Sequence, residues 1–581
     1  MKTFPLLGTL IAGLGAVLAT ARGAEAHQLL QVMHSDGGMT TGDDSGSRLR
    51  VQQRRGEETH VRREAYAGQR FLNQASTKFL VNGSAIPGVD FDIGESYAGL
   101  LPISDKADER DSLFFWFFPT ASEEKREEKE IVIWLNGGPG CSSLLGLLQE
   151  NGPFQWQPGT LKPERNPWSW HLLSNVVYIE QPVTTGYSQG KATARNEDDV
   201  ARQFLGFWSN FIKTFGMSGW RVYIAAESYG GYYGPYIASH MIDAKDDKRH
   251  GKMSGLMVYD GIMFDGVIQV GVVMEAFIDQ HRDLMPLDDA TMRSIRNVSA
   301  SCGYQDWHKR YLRYPAVPGP LPPFPGSQTL KNGTVTLRPE CQNIFNQIYE
   351  AIRIINPCFN IYNIRDSCPK VRDVLSQEEK QPYFQREDVK RAIHAPLEAN
   401  WKQCADGVFV SAKNGVDESP PPDAYHLPNV VDHTHNVIIA HGAMDFILPL
   451  NGVLLGLQNM TWGGKRGFER APADPFYVPL YGFNSTQGAH YYGDQLPAGA
   501  GVQGTVHEER GLTLVVTQLA GHEGPGYAPA AALRHLEKLL GRVDSLSKKG
   551  SFTLPVLKKA TQVAGDLGKG TVKIPCLGAG C

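Results

Sequence analysis

Three residues spread along the chain, Ser228, Asp445 and His522, have the types and local settings that nucleophilic acyl transfer requires. Ser228 is the centre of Ala226-Glu227-Ser228-Tyr229-Gly230. The β-favouring run Val222-Tyr223-Ile224-Ala225 precedes it, and Gly231-Tyr232-Tyr233-Gly234-Pro235-Tyr236-Ile237-Ala238, which can start a helix, follows. A serine between small residues on a strand-to-helix turn can hold its hydroxyl clear of the backbone and act as a nucleophile. Such a nucleophile needs a base, and the base needs an orienting acid. The strand-like stretch Asn436 to Ala440 leads into His441-Gly442-Ala443-Met444-Asp445, and Leu512 to Val516 leads into Leu519-Ala520-Gly521-His522-Glu523-Gly524-Pro525. Nucleophile, acid and base thus fall in that order, each just past a strand. Asp260 and Asp265 follow another strand and are rival acids; His433, His435 and His441 are rival bases, with Asp445 and His522 preferred.

A second constellation is Trp134-Leu135-Asn136-Gly137-Gly138-Pro139-Gly140-Cys141-Ser142-Ser143. A Gly-rich turn after a strand exposes backbone N–H groups, as an oxyanion hole requires, with Gly138 and Tyr229 the expected donors. The lysine of a phosphate-binding loop is absent, which disfavours nucleotide binding. Ser142 and Ser143 read as turn or helix-cap residues.

The elements that must carry these residues are apolar strands alternating with helices. Leu113 to Phe118, Ile131 to Leu135, Val176 to Ile179, Val222 to Ala225, Leu256 to Tyr259, Val437 to Ala440 and Leu512 to Val516 read as strands, and Asp199 to Phe215 as a helix. Continuous Val/Ile/Leu runs alternating with helices imply a mostly parallel sheet covered on both faces. The order nucleophile, acid, base on such a sheet is that of the α/β-hydrolase fold. Residues 66–265 and 406–545 read as its two parts. Residues 266–405 break the rhythm, hold five of the eight cysteines and the Pro-rich stretch Tyr314 to Pro325, and read as an inserted, disulfide-bonded cap. The charge run Glu123 to Glu130 reads as a solvated turn, and residues 546–581 as a flexible tail.

The 581 residues are 41% hydrophobic with a formal net charge of -4, enough for a large core and unsuited to nucleic-acid binding. Residues 1–21 read as a secretory signal: Lys2, an apolar stretch Phe4 to Ala19, and the small-residue site Ala19-Thr20-Ala21. The apolar stretch is too short and Gly-rich for a stable membrane anchor. Residues 22–65 read as a pro-region or flexible arm. Eight cysteines and sequons at Asn82, Asn297, Asn332, Asn459 and Asn484 fit an exported glycoprotein, with a vacuolar or lysosome-like compartment as the second choice. No Cys/His cluster has zinc spacing, and neither a metal nor an organic cofactor is expected.

Taken together, Trp134 to Ser143, Glu180-Gln181-Pro182-Val183 with Gly186-Tyr187-Ser188, Glu227 to Pro235, Gly521 to Pro525 and Tyr97-Ala98-Gly99 resemble the serine carboxypeptidase family over about residues 65–540. Cys358 to Arg365 resembles the cap of fungal secreted members. The resemblance implies Ser228 as nucleophile, His522 as general base and acid, and Asp445 as its orienter. It also implies recognition of a substrate's C-terminal carboxylate by Trp134, Asn136, Gly137, Glu150 and Glu227, with Glu523 beside the leaving residue. Two acidic side chains can face a carboxylate if they are protonated and donate hydrogen bonds. The implied substrates are peptide or protein C-termini. An acyltransferase or lyase on the same scaffold, or a silent binding protein, fits less well with an intact triad and carboxylate site. The family pattern pairs Cys141 with Cys404; Cys302, Cys341, Cys358 and Cys368 then form two cap bridges in any of three connectivities, with the nested Cys302–Cys368 and Cys341–Cys358 preferred, while Cys576 and Cys581 have no counterpart. Ala226, Ala443, Leu448 and Gly524 depart from residues frequent in the family.

Overall fold

The computed structural model describes residues 69–554 apart from 331–334, 412–414 and 480–497. The signal and arm segments, Asn332, Asn484, Cys576 and Cys581 lie outside the described residues. Asn82 and Asn297 are exposed and Asn459 is half-buried.

Eleven strands form one sheet. In chain order they are β1 (Leu80–Val81), β2 (Ser96–Pro102), β3 (Ser112–Phe118), β4 (Glu130–Leu135), β5 (Asn175–Glu180), β6 (Arg221–Glu227), β7 (Lys252–Tyr259), β8 (Val437–Gly442), β9 (Asp474–Val478), β10 (Gly501–Glu509) and β11 (Leu512–Thr517). Their spatial order is β1-β2-β3-β5-β4-β6-β7-β8-β11-β10-β9. From β5 to β11 every neighbouring pair is parallel. The strands outside that block pair antiparallel, three at one end and two at the other.

The strand pleat explains why these runs are apolar throughout. Along β4, Ile131, Ile133 and Leu135 enter one core while Val132 and Trp134 enter the other; along β3, Phe115 and Phe117 oppose Phe114, Trp116 and Phe118. Helix α1 (Glu197–Phe215) covers the first face with Phe204, Phe207, Trp208, Phe211 and Phe215, spaced three and four apart. It starts two residues before the expected Asp199 because the Asn196 side chain accepts from Asp199 N at 3.0 Å, and the acidic first turn Glu197-Asp198-Asp199 suits the positive end of the helix dipole. Helix α2 (Gly230–Ala244) packs on the same face. Residues 266–405 add α3 (Asp289–Ser301), α4 (Tyr304–Tyr311), α5 (Ile344–Ile355) and a short hairpin. Ile295, Tyr304, Ile348 and Ile352 of this segment join the first core. Helix α6 (Pro529–Leu539) closes the second face.

Three features differ from expectation. Glu130 is not in a solvated turn: it opens β4, is fully buried, and pairs with Arg221 (2.9 Å) and Arg542. Residues 546–554, read as tail, are packed: Leu546, Phe552 and Leu554 are buried in the second core, and Thr553 N donates to Glu537 Oε1. The cap bridges are sequential, not nested: Cys302 joins Cys341 and Cys358 joins Cys368, alongside Cys141–Cys404 as expected. Helix α5 ends before Pro357, and the Asn356 side chain reaches back to Asp366 O (2.9 Å), folding residues 356–368 into a loop that brings its own two cysteines together. Cys302, at the end of α3, meets Cys341 in the short helix before α5.

Non-reducing peptide mapping should therefore return Cys302–Cys341 and Cys358–Cys368, and a Cys302–Cys368 peptide would contradict this pairing. Replacing Cys358 and Cys368 with serine should cost about 2–3 kcal/mol of unfolding free energy for so short a loop, read by denaturant titration.

Candidate active site

Strand β6 ends at Glu227 and α2 begins at Gly230, so Ser228 occupies the turn between them with φ +60°. A non-glycine residue in the left-handed region is strained and persists only where its surroundings fix it. Here Ser228 N donates to Tyr259 O (3.0 Å), and Ser228 O accepts from Gly231 N (2.9 Å) and Ile262 N (3.0 Å). Helix α2 then covers the turn with Tyr232, Tyr233 and Tyr236, all buried.

The Gly-rich loop leaves the adjacent strand β4. Leu135 pairs with Ala226, so Asn136 and Gly137 emerge beside Glu227 and Ser228. A methyl group on Gly137 would sit 2.4 Å from Tyr229 N and 2.7 Å from Ser228 Cβ, so only glycine allows this approach. Neither the Gly138 nor the Tyr229 N–H donates to an acceptor among the described residues, leaving both available to an oxyanion. The loop is held on several sides. Cys141 is bridged to Cys404, with Ser142 N donating to Gln403 O (2.9 Å) and Ala405 N to Gly140 O (2.8 Å). Gly140 N donates to Tyr233 Oη at 3.1 Å. Ser142 Oγ and Trp401 Nε1 (3.1 Å) donate to Glu180 Oε1, and Tyr187 N donates to Glu180 Oε2 (2.6 Å). Burial pushes the Glu180 carboxyl up to about 7 against these bonds. The Glu180-Gln181-Pro182 motif is thus a strut for the loop, and Ser142 and Ser143 are its fastenings: Ser143 Oγ accepts from Asn136 N (3.1 Å) and donates to Ile179 O (2.6 Å).

Strands β8 and β11 are parallel neighbours, which places the turns after them together. His522 Nδ1 bonds Asp445 Oδ2 at 2.7 Å, and both side chains are buried. Asp445 Oδ1 accepts from Leu448 N at 3.1 Å. His522 Nε2 has no partner among the described residues. Burial lowers the proton affinity of the His522 ring, but the charge and hydrogen bond of Asp445, with Glu523 and Glu150 nearby, outweigh it and raise the net value above the ordinary imidazole range. Of the rivals, Asp265 caps a short helix by accepting from Val267 N (2.8 Å), His433 and His435 are exposed, and His441 and Asp260 lie buried behind Asp445.

The residues expected to recognise a carboxylate also converge. Trp134 Nε1 (2.7 Å) and Gly146 N (3.0 Å) donate to Asn136 Oδ1, which fixes the amide with its Nδ2 toward Glu150 Oε1 (3.2 Å) and Glu227 Oε1 (3.1 Å). The second carboxyl oxygen of each glutamate is buried without a partner among the described residues. Burial raises both glutamates above the carboxylate range. Glu227 is raised further by the adjoining Glu150. Half-buried Glu523, next to His522, is pushed up to about 7 by burial and Glu150, with His522 opposing. In their protonated forms these carboxyls can donate to an anion.

Sequence reasoning missed a clamp supplied by the inserted segment. Ile361 O accepts from Phe446 N (3.1 Å) and Ile447 N (3.0 Å), Ile364 N donates to Met444 O (3.0 Å), and Tyr362 O accepts from His522 N (2.7 Å). The Tyr362 ring lies 5.1 Å from that of His522, and Arg365 Nη1 donates to Leu519 O. The stretch Cys358 to Arg365 stood out as a motif, but its partners are 80 or more residues away.

A family model described as serine carboxypeptidase matches residues 87–542. A probable serine carboxypeptidase of Arthroderma benhamiae is 44% identical over 496 residues, covering 82% of this chain and 89% of that protein. Serine-type carboxypeptidase F of Aspergillus niger is 39% identical over 493 residues, with the same coverage of 82% and 89%. The crystal structure of Kex1(delta)p, a prohormone-processing carboxypeptidase from Saccharomyces cerevisiae, superposes with a TM-score of 0.63 at 23% identity, covering 81% of this chain and 98% of that one, and establishes the α/β-hydrolase fold. A parallel sheet that carries an elbow serine, a buried His–Asp pair and a Gly-rich loop, matched over most of its length by this model and these relatives, places the chain in the serine carboxypeptidase family as an enzyme of that type.

Proposed function

We propose that the protein removes single amino acids from peptide C-termini by two-step acyl transfer, working best at acid pH outside the cytosol. His522 takes the Ser228 hydroxyl proton as Ser228 attacks the last peptide bond. The oxyanion is held by the Gly138 and Tyr229 N–H groups, and His522 returns the proton to the leaving amino acid. Water, activated by the same histidine, then hydrolyses the acyl-enzyme. Asp445 holds the imidazole tautomer. The exopeptidase reading is carried by one observation: Asn136 bridges two buried carboxyls, Glu150 and Glu227, one of them adjacent to Ser228. A C-terminal carboxylate docked on protonated Glu227 and Glu150 sets the last peptide bond over the serine. Glu523 faces the leaving residue and, once ionised, favours basic ones. The 266–405 cap sets the remaining side-chain preference. Export is supported by the apolar N-terminal stretch and by three disulfides, which persist in oxidising compartments. Among the described residues no helix is long and apolar enough to cross a membrane.

The decisive experiment is mass spectrometry of defined peptides incubated at acid pH. Stepwise C-terminal trimming is expected, together with labelling by a fluorophosphonate probe, and both should vanish in Ser228→Ala. Internal cleavage, or none, would sink the reading.

The acid groups set the direction of the pH response. Raised carboxyls lose their protons as pH rises, so KM should climb from pH 5 to pH 8. The raised His522 is freed as pH rises, so kcat should climb over its own limb, leaving a bell-shaped kcat/KM. Glu227→Gln keeps a donor that cannot ionise and should flatten the KM rise; an unchanged KM profile in that variant would count against protonated-carboxyl recognition. Above pH 7, where the Glu523 carboxyl ionises, Glu523→Gln should lower kcat/KM for substrates ending in Lys or Arg several-fold relative to Leu, and equal losses for both would remove Glu523 from specificity.

A further inference from the structure

Asp260, the rival acid at the end of β7, has no role in the chemistry above, yet its setting is unusual. It is fully buried and has φ +43°, a strained conformation that its neighbours must enforce. Its N–H donates to Ala440 O (2.9 Å), and its Oδ1 accepts from Gly442 N (2.8 Å), the last residue of β8 before the turn that carries Asp445. Its Oδ2 has no partner among the described residues. His441 Nδ1 stands 3.5 Å from Asp260 Oδ1, and neither nitrogen of that buried ring has a hydrogen-bond partner among the described residues. One ligand atom from each of Asp260, His441 and Asp445 falls within 4.8 Å of the others.

Between these groups and α6 lies a cavity of about 10 Å3, lined by Asp260, His441, Gly442, Gly524 and His535, among others. The space depends on Gly524: a Cβ there would lie 2.8 Å from Tyr259 Cδ1 and 3.7 Å from Asp260 Oδ2. The volume suffices for one water, and the unpaired Asp260 Oδ2, His441 and His535 Nε2 atoms supply the polar partners such a water needs.

We propose that Asp260 is a positioning residue for Asp445: through Gly442 N, and with His441 across the cavity, it fixes the turn that presents the catalytic acid to His522. The proposal rests on the Ser228–His522–Asp445 assignment. Asp260 does this as a neutral acid. Its environment contains Asp445 and His441 from β8 and the turn after it, Tyr259 on its own strand, His535 from α6, and Glu150 and Glu227 on the substrate side. No cationic side chain is among them. Burial first, then the Asp445 charge, raise the Asp260 carboxyl well above its usual range, and burial pushes His441 down to about 4. A second negative charge beside Asp445 is thereby avoided, while the Oδ2 proton remains a donor.

Two variants test this at saturating substrate. Asp260→Asn keeps the acceptor for Gly442 N and a neutral donor; kcat should stay within about threefold of the unaltered enzyme, with the acid limb of kcat unmoved. Asp260→Ala removes the acceptor; kcat should fall on the order of 10- to 100-fold, as small misplacements of catalytic groups do, with the acid limb shifted to lower pH and KM nearly unchanged. Wild-type kcat and pH profile in Asp260→Ala would overturn the proposal, and so would an equal limb shift in both variants, since Asp260 would then act as a charge. Should Asp260→Ala not fold, Asp260→Asn decides alone: a loss beyond threefold or a moved limb rejects the idea. An inactive Ser228→Ala beside unaffected Asp260 variants would leave the triad standing and remove only this proposal.

Discussion

The register of β4 between β5 and β6 is the constraint on which the site depends. Because Leu135 lies opposite Ala226, the residues leaving the two strands are forced side by side: Asn136 next to Glu227, Gly137 against Ser228. A slip of one residue would send Ile131, Ile133 and Leu135 to the opposite face and bury the alternate set in the wrong core. The apolar pleat that stabilises the sheet therefore also fixes where the loop glycines meet the elbow. The same logic extends along the parallel block, where β7, β8 and β11 end together and deliver Asp260, Asp445 and His522 to one edge.

Charge is then sorted by the donors each acid receives. Asp445 accepts from Leu448 N and His522, a set suited to a carboxylate. Glu150 and Glu227 share the single Asn136 amide, and each retains an unpaired buried oxygen. An isolated buried carboxylate is costly, which raises the proton affinity of both side chains. Glu150 and Glu227, with one shared amide donor, and Asp445, with a backbone donor and an imidazole, are thus the same kind of side chain set apart by hydrogen-bond supply and not by residue type.

What the sequence revealed follows from locality. Ser228, the Gly-rich loop, Asp445 and His522 sit immediately after apolar runs, and strand-end chemistry is readable without knowing the fold. Glu150 is different: it lies 14 residues beyond Asn136 in a short turn of helix, with no periodic or motif signal of its own, and only the family resemblance identified it. Glu130 was misread because a charge run hides which member is buried, and its partners Arg221 and Arg542 are distant in sequence. The buried residues of 546–554 escaped for the same reason, Phe552 lying against Trp168, whereas the Cys358–Cys368 bridge is local and is set by the loop that Asn356 closes onto Asp366 O.

The clamp formed by Ile361 to Arg365 changes how the inserted segment must be understood. Its backbone bonds the turn that carries Asp445 and the one that carries His522, so the cap is part of the framework that aligns them and not only a wall for substrate. The Cys358–Cys368 bridge closes the loop bearing that clamp, restricting its freedom before any contact with the sheet is made. Variation of the cap is consequently constrained. Residues facing substrate can change with specificity, but the backbone path from Asn360 to Ile364 is tied to the acid and base at once, and a displacement there would be felt by both.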